Sequence, residues 1–335
     1  MQSATWWYKS EMDLDLFTLL YELALLAVIL LIVGIVFVYI TTPQPNMMRF
    51  ESEKTFVDPQ NKGQRLPFPS INDQPTLALS VIVPSYFEEK RLPKMMDEAL
   101  EFLIPRQKQD KSQTFEIIIV DDGSKDGTTE VALEYSNKFG TDMIRVLTLE
   151  KNRGKGGAVR LGMLSARGRD LLFADADGAT KFADLTQLEK SMVELRKKGD
   201  NAIVCGSRAH LQDEATASRS LFRTILMYGF HFLVWFLCVR GIKDTQCGFK
   251  LLTRESARIL FPNMHVERWA FDVELLYIAQ YLGMSLSEVS VNWEEIEGTK
   301  MIPFFSWAQM GRDLILIRLR YLCGFWKIDP KPKAD

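Results

Sequence analysis

The sequence predicts an α/β protein: a mostly parallel, Rossmann-like sheet wound by helical crossovers, behind a single N-terminal transmembrane helix. Three observations predict it. Apolar runs that stop at acidic or glycine-rich turns alternate with helical stretches of about 12 residues. The runs are continuous rather than alternating, as in strands buried on both faces. Residues 23–40 are 18 consecutive uncharged positions, close to the roughly 20 that span a bilayer core.

Taken in order, residues 1–22 place Glu11, Asp13, Asp15 and Glu22 ahead of the apolar run. A cleaved signal peptide starts basic and has a shorter apolar run, so 23–42 reads as a retained anchor. Arg49, Lys54, Lys62 and Arg65 follow it and only Lys9 precedes it. That asymmetry puts the C-terminal bulk on the cytosolic side and the tail 1–22 on the lumenal side. Residues 43–75 are polar, with Pro43, Pro45, Pro59, Pro67 and Pro69 and no sustained period, and read as a linker.

Strands then follow at 77–83 (LALSVIV), 115–120 (FEIIIV), 144–149, 170–174 and 202–205. The second stops at Asp121-Asp122-Gly123-Ser124, and the fifth at Gly206-Ser207-Arg208. A net charge of -2 and a pI near 6.1 give no general attraction for nucleic acid. Four cysteines with no Cys-x-x-Cys argue against a zinc site and a disulfide framework.

The fourth strand delivers Asp175 and Asp177, where ligands bind in an open α/β sheet. Two hard oxygen ligands with room for water suit Mg²⁺ or Mn²⁺ shared with a diphosphate. An acidic, solvated strand end is the plain alternative. An EF-hand is excluded, because Ala179 and Thr180 stand where a ligand and the glycine belong. The turn Asn152-Arg153-Gly154-Lys155-Gly156-Gly157 has two readings. Its helix N-terminus and Lys155 favour an anion; equally, a tight strand-to-helix turn needs glycine. In a sheet wound this way the loops after successive strands open on one edge, which gathers all of these groups into one crevice.

The order VIVPSYFEE, VDDGSKDGT, KNRGKGGAVR and ADADGAT, over about residues 77–210, resembles glycosyltransferases of the GT-A fold in glycosyltransferase family 2, in the group that includes the polyprenyl-phosphate hexosyltransferases. Val204-Cys205-Gly206-Ser207-Arg208 and Asp244-Thr245-Gln246-Cys247-Gly248-Phe249-Lys250 are similar to its acceptor-side segments. The resemblance implies a nucleotide-sugar part over 76–210 and an acceptor and membrane-interface part over 211–335. It implies Pro84, Tyr86 and Glu88 beside the base, Asp121 and Asp122 on base or ribose, and Lys155 near the nucleotide. Asp175 and Asp177 would serve metal and diphosphate, and Arg208 and Arg219 the acceptor phosphate; Asp175, Asp177 and Arg208 would be the catalytic set. It further implies inverting transfer of glucose from UDP-glucose to dolichyl phosphate at the cytosolic face of the endoplasmic reticulum membrane. GDP-mannose is the alternative donor, and a catalytically dead scaffold the alternative class.

Two apolar stretches in the last part invite a membrane. Thr224 to Val239 is uncharged and rich in Phe, Leu and Trp, and Trp307 to Trp326 sets Arg312, Arg318 and Arg320 among apolar residues. The first reads as a helix lying in the membrane interface or a re-entrant one, and the second as a basic amphipathic helix on anionic membrane lipids; a core helix or a protomer contact is the plain alternative for both. Asp272 and Glu274 stand as acceptor-site or structural candidates. A phosphate acceptor has a second pKa of about 6 and needs no base to deprotonate it.

Overall fold

The computed structural model describes residues 3–44, 47–211, 229, 232–296 and 303–331. The chain divides into two compact units: Met1–Pro43 with Arg318–Lys327, and Gln44–Ile317 with Ile328–Asp335.

The first unit is dominated by α1 (Ser3–Ile40), 38 residues long, or about 57 Å at 1.5 Å per residue. Phe17–Ile40 within it is the one stretch among the described residues long and apolar enough to cross a membrane. Residues 3–22, part of the expected tail, are helical and continuous with the apolar stretch. Apolar side chains point outward on every side of Phe17–Ile40, as expected for a helix surrounded by lipid rather than one with a single inward stripe. At its end the Thr41 and Thr42 hydroxyls donate back to Phe37 and Val38 carbonyls at 2.8 and 2.6 Å, satisfying carbonyls that a helix end leaves unpaired. The C-terminal segment of this unit closes on the same turn. Arg320 donates to the Thr41 carbonyl at 2.8 Å and Trp326 Nε1 to that of Pro43 at 3.0 Å. Arg320 is therefore buried and engaged, which corrects its expected place on a lipid-facing basic surface.

In the second unit the expected linker is built rather than loose. Its antiparallel hairpin, β1 (Thr55–Asp58) and β2 (Gln64–Pro67), turns through Lys62 and Gly63, both at positive φ. The main sheet contains β3 (Leu77–Ser85), β4 (Phe115–Asp121), β5 (Ile144–Thr148), β6 (Gly168–Ala174), β7 (Ala202–Ser207), β8 (Phe249–Thr253) and β9 (Ser285–Ser290). Their order is β5-β4-β3-β6-β8-β7-β9. β8 pairs antiparallel with both neighbours and every other pairing is parallel, so β8 alone runs against the rest. The C-terminal ends of β3, β4, β6 and β7 consequently share one edge.

Helices cover both faces. On one, α2 (Leu92–Gln109), α3 (Thr128–Phe139) and α5 (Leu185–Arg196) bury Met96, Leu100, Ala132, Leu188 and Met192 against Val81, Ile117, Leu172 and Val204. The other carries α4 (Lys155–Leu164), α6 (Arg254–Asn263) and α7 (Phe271–Tyr281). α4 lies so close that a Cβ on Gly162 would sit 2.6 Å from Ile82. Burial of this order stabilises by about 25 cal/mol per Å² of apolar surface.

The last helix, α8 (Pro303–Leu322), starts before the expected Trp307 and ends before Trp326. Met310, Leu314 and Ile317, on one face at helical spacing, are buried in the protein. An amphipathic pattern cannot distinguish lipid from protein as the partner: these three turn inward, whereas Ile315 and Leu322 of the same helix are exposed. Of Thr224 to Val239, residues 224–228, 230 and 231 lie outside the described residues. The part from 232 to 237 is helical, with Phe232, Trp235 and Phe236 exposed.

Candidate functional site

A cleft of about 550 Å³ opens at the shared strand edge. Pro84, Tyr86, Glu88, Asp122, Lys155, Asp175, Asp177 and Arg208 all line it, with Arg91, Arg268, Trp269, Asp272 and Trp293. Asp121 does not. Its carboxylate accepts the Ser124 amide at 2.9 Å and the Thr129 hydroxyl, so it is turned into the loop and builds the turn instead of facing a ligand. Arg219 lies outside the described residues.

After β3, Phe87 adopts a positive φ of 54°, an uncommon conformation for a non-glycine residue. Its amide is held by Ser124 Oγ at 3.0 Å and the next amide, Glu88, by Thr128 Oγ1 at 2.9 Å. The Glu88 carboxylate is gripped by Arg91 Nε and Nη2 at 2.7 and 2.5 Å. Tyr86 remains at the mouth, edge-on to Phe87 with ring centroids 4.4 Å apart.

Asp122 accepts the Arg153 amide at 2.7 Å and the Gly154 amide at 2.8 Å, one on each oxygen. Burial nevertheless pushes its carboxyl up to about 6, with the nearby Asp121 charge adding to the rise. The glycine-rich turn resolves toward close packing. A Cβ on Gly154 would sit 2.7 Å from the Glu267 carbonyl and one on Gly156 2.6 Å from Phe271 Cβ. The Gly157 amide donates to that Glu267 carbonyl at 3.1 Å. The Gly154 and Gly157 amides are thus already used, and Lys155 brings the turn's positive charge to the cleft.

Lys155 Nζ lies 2.6 Å from Asp175 Oδ1. Burial disfavours its charge, yet the Asp175 and Asp272 carboxylates outweigh that and raise its pKa. Asp175 fits only because residue 248 is glycine: a Cβ there would lie 2.0 Å from Asp175 Oδ2. Asp177 accepts the Ala179 amide at 3.0 Å, and burial followed by the Asp175 charge raises its pKa. Two carboxylates side by side in a cleft form a donor set that fits a divalent cation. No cluster of three or more acidic, His or Cys ligands occurs among the described residues, so such an ion would complete its shell with water or substrate oxygen.

Arg208 stacks over Trp293 at 5.4 Å. Its Nε and Nη2 donate to Asp244 at 2.7 and 3.0 Å. Asp272 reaches the cleft while its Oδ1 takes Lys250 Nζ at 2.6 Å, and burial raises its pKa despite that cation. Glu274 is separated from it. Its carboxylate accepts the His265 and Val266 amides at 2.9 and 2.6 Å, which makes it a clamp on the chain entering α7. Sequence reading missed Arg91, three residues after Glu88 and at the N-cap of α2, and Trp293, which no motif marks.

Residues 80–261 match the family model described as glycosyl transferase family 2. A dolichyl-phosphate beta-glucosyltransferase of Homo sapiens is 59% identical over 313 residues, covering 93% of this chain and 96% of its own. The Drosophila melanogaster protein of the same name is 57% identical, with 94% and 97% covered. A solved structure of Mycobacterium tuberculosis glucosyl-3-phosphoglycerate synthase, in complex with Mn²⁺, UDP and glucosyl-3-phosphoglycerate, superposes with a TM-score of 0.50 at 17% identity. That likeness covers 74% of this chain and 81% of that one, and is one of fold.

Proposed function

Because the chain belongs to glycosyl transferase family 2, among the dolichyl-phosphate β-glucosyltransferases and with their GT-A fold, we propose that it transfers glucose from UDP-glucose to dolichyl phosphate with inversion at the anomeric carbon. One observation carries the reading. Asp175 and Asp177 meet Lys155, Arg91 and Arg208 in a single cleft at the strand edge, large enough for a nucleotide sugar.

In this mechanism Tyr86, Pro84 and Asp122 hold the nucleoside, and Arg91 approaches from the Glu88 side. Asp175 and Asp177 would hold Mg²⁺ or Mn²⁺, which when bound supplies positive charge for the departing diphosphate. Asp244 fixes the plane of Arg208 and leaves Nη1 to orient the lipid phosphate. A phosphate oxygen attacks C1 of the sugar while the bond from C1 to the β-phosphate oxygen breaks on the opposite face. The acceptor is already largely dianionic near neutrality, so Asp272 need not remove a proton and holds Lys250 in place instead.

We place the protein in the endoplasmic reticulum membrane as a single-pass protein with the cleft on the cytosolic side, supplying a glucosyl lipid for N-linked glycan assembly. The apolar Phe17–Ile40 and the basic residues after it support this. The test is membranes carrying the protein, given dolichyl phosphate and separately labelled UDP-glucose and GDP-mannose. Labelled lipid should form from UDP-glucose alone; label from GDP-mannose alone, or from neither, overturns the reading.

A further inference from the structure

A stretch a few residues beyond the anchor in sequence, residues 47–54, contains a carboxylate with no exposure at all. Glu53 is 0% exposed, a costly place for a charge unless it is paired and hydrogen-bonded. Its partners all lie in two short segments. It accepts the Phe50 and Glu150 amides, each at 3.1 Å, and Arg153 Nη2 at 2.6 Å. Arg153 in turn donates from Nη1 to the Met48 carbonyl at 2.6 Å, and its guanidinium lies 5.7 Å from the centre of the Phe50 ring. The backbone of this same arginine, together with Gly154, supplies both amides that grip Asp122 on the cleft wall. Lys155 is the next residue.

We propose that Glu53 is a positioning residue for the donor: it fixes Arg153, and through the Arg153 and Gly154 amides it sets Asp122 and the start of α4 for the nucleotide. This rests on the donor reading given above. A surface-tether role would not need a buried ion pair, and simple packing would not need one that joins residue 53 to the loop carrying a cleft residue. The other end of the same segment provides the control. Arg49 ties it to the far end of α4, donating to Ser165 Oγ and the Leu161 carbonyl at 3.0 Å each, with no link to Asp122.

The test uses the full-length protein in detergent micelles and the variants Glu53→Gln, Arg153→Lys and Arg49→Gln. UDP with Mn²⁺ is titrated onto each, and KM is measured separately for UDP-glucose and for dolichyl phosphate. Glu53→Gln keeps shape but loses charge, while Arg153→Lys keeps charge but cannot reach Met48 and Glu53 together. Both should weaken UDP by about tenfold, the equivalent of one charge-assisted hydrogen bond, with KM for the lipid phosphate unchanged. Arg49→Gln should bind UDP as the wild type does. Glu53→Gln binding like the wild type, or Arg49→Gln weakening UDP as much as Glu53→Gln, overturns the proposal. Wild-type protein that binds no UDP at all fails at the donor reading itself and takes this inference with it.

Discussion

Gly248→Ala isolates one atom's worth of space. The added methyl would stand 2.0 Å from Asp175 Oδ2 and 2.2 Å from its Cγ. Ordinary contact begins near 3.4 Å, so the carboxylate has to swing away by more than an ångström, and the 2.6 Å pair with Lys155 breaks with it. Gly248 is not at a positive φ, so alanine adds no backbone strain of its own, and the melting temperature should move little. A displacement of about 1 Å in a catalytic group costs on the order of 10²-fold in rate, or about 2.7 kcal/mol in kcat/KM. The assay is transfer of labelled glucose to dolichyl phosphate, run beside thermal unfolding. A Gly248→Ala protein with wild-type kcat/KM would refute the reasoning, because it would show that the position of Asp175 does not matter. Lost activity with a large fall in melting temperature would show instead that the methyl damages the fold.

Two further outcomes follow from named groups. Asp122 titrates near 6, and the carboxylate form accepts both loop amides, so UDP-glucose affinity should fall as pH drops from 7 to 5 and a proton takes up one acceptor. Asp122→Asn should bind more weakly at pH 7 and lose that pH dependence; a wild-type affinity flat across this range by calorimetry would contradict it. Glu274→Ala strips a buried acceptor from the His265 and Val266 amides and should lower stability by about 3 kcal/mol, read as a shift in the urea midpoint. An unchanged midpoint would show that water replaces the carboxylate.

The strands that make the site were legible because they are buried on both faces and so read as unbroken apolar runs, each ended by a polar turn: β3, β4, β6 and β7 are of this kind. Their edges were harder. β9 is Ser-Leu-Ser-Glu-Val-Ser and half-exposed, and β8 carries Lys250 in its second position, a charge that signals solvent until Asp272 is seen 2.6 Å away. The hairpin β1–β2 is short and carries prolines in its connection and at its end, Pro59 and Pro67, so composition pointed to a linker. The motifs themselves could be found by spacing, but spacing could not divide labour within them. Asp121 and Asp122 are adjacent, and only the fold shows that one ties the turn while the other faces the cleft. The glycines of the turn after β5 looked like a phosphate loop, whereas contact with Glu267 and Phe271, more than a hundred residues away in sequence, accounts for them.

The charges of the cleft lead to a less obvious prediction about Asp177. Its lining holds five carboxylates, Glu88, Asp122, Asp175, Asp177 and Asp272, against four cations, Arg91, Lys155, Arg208 and Arg268. Three of those cations are already paired, at 2.5, 2.6 and 2.7 Å, with Glu88, Asp175 and Asp244. Such a cleft has no positive surplus to offer a nucleotide sugar that brings two negative charges, and a like charge in this setting is worth on the order of 1–4 kcal/mol. A divalent cation on the Asp175–Asp177 side reverses the balance, which gives a physical reason for a metal independent of any relative. Asp177→Asn removes one negative charge but also one proposed cation ligand. It should therefore bind UDP-glucose in EDTA at least fivefold more tightly than the wild type, about 1 kcal/mol, while Mn²⁺ no longer improves its affinity and transfer falls by roughly 10²–10³-fold. Titration calorimetry with and without Mn²⁺ reads all three. If the variant binds UDP-glucose more weakly than the wild type in EDTA, Asp177 contacts the nucleotide sugar directly, and the charge argument for the metal fails.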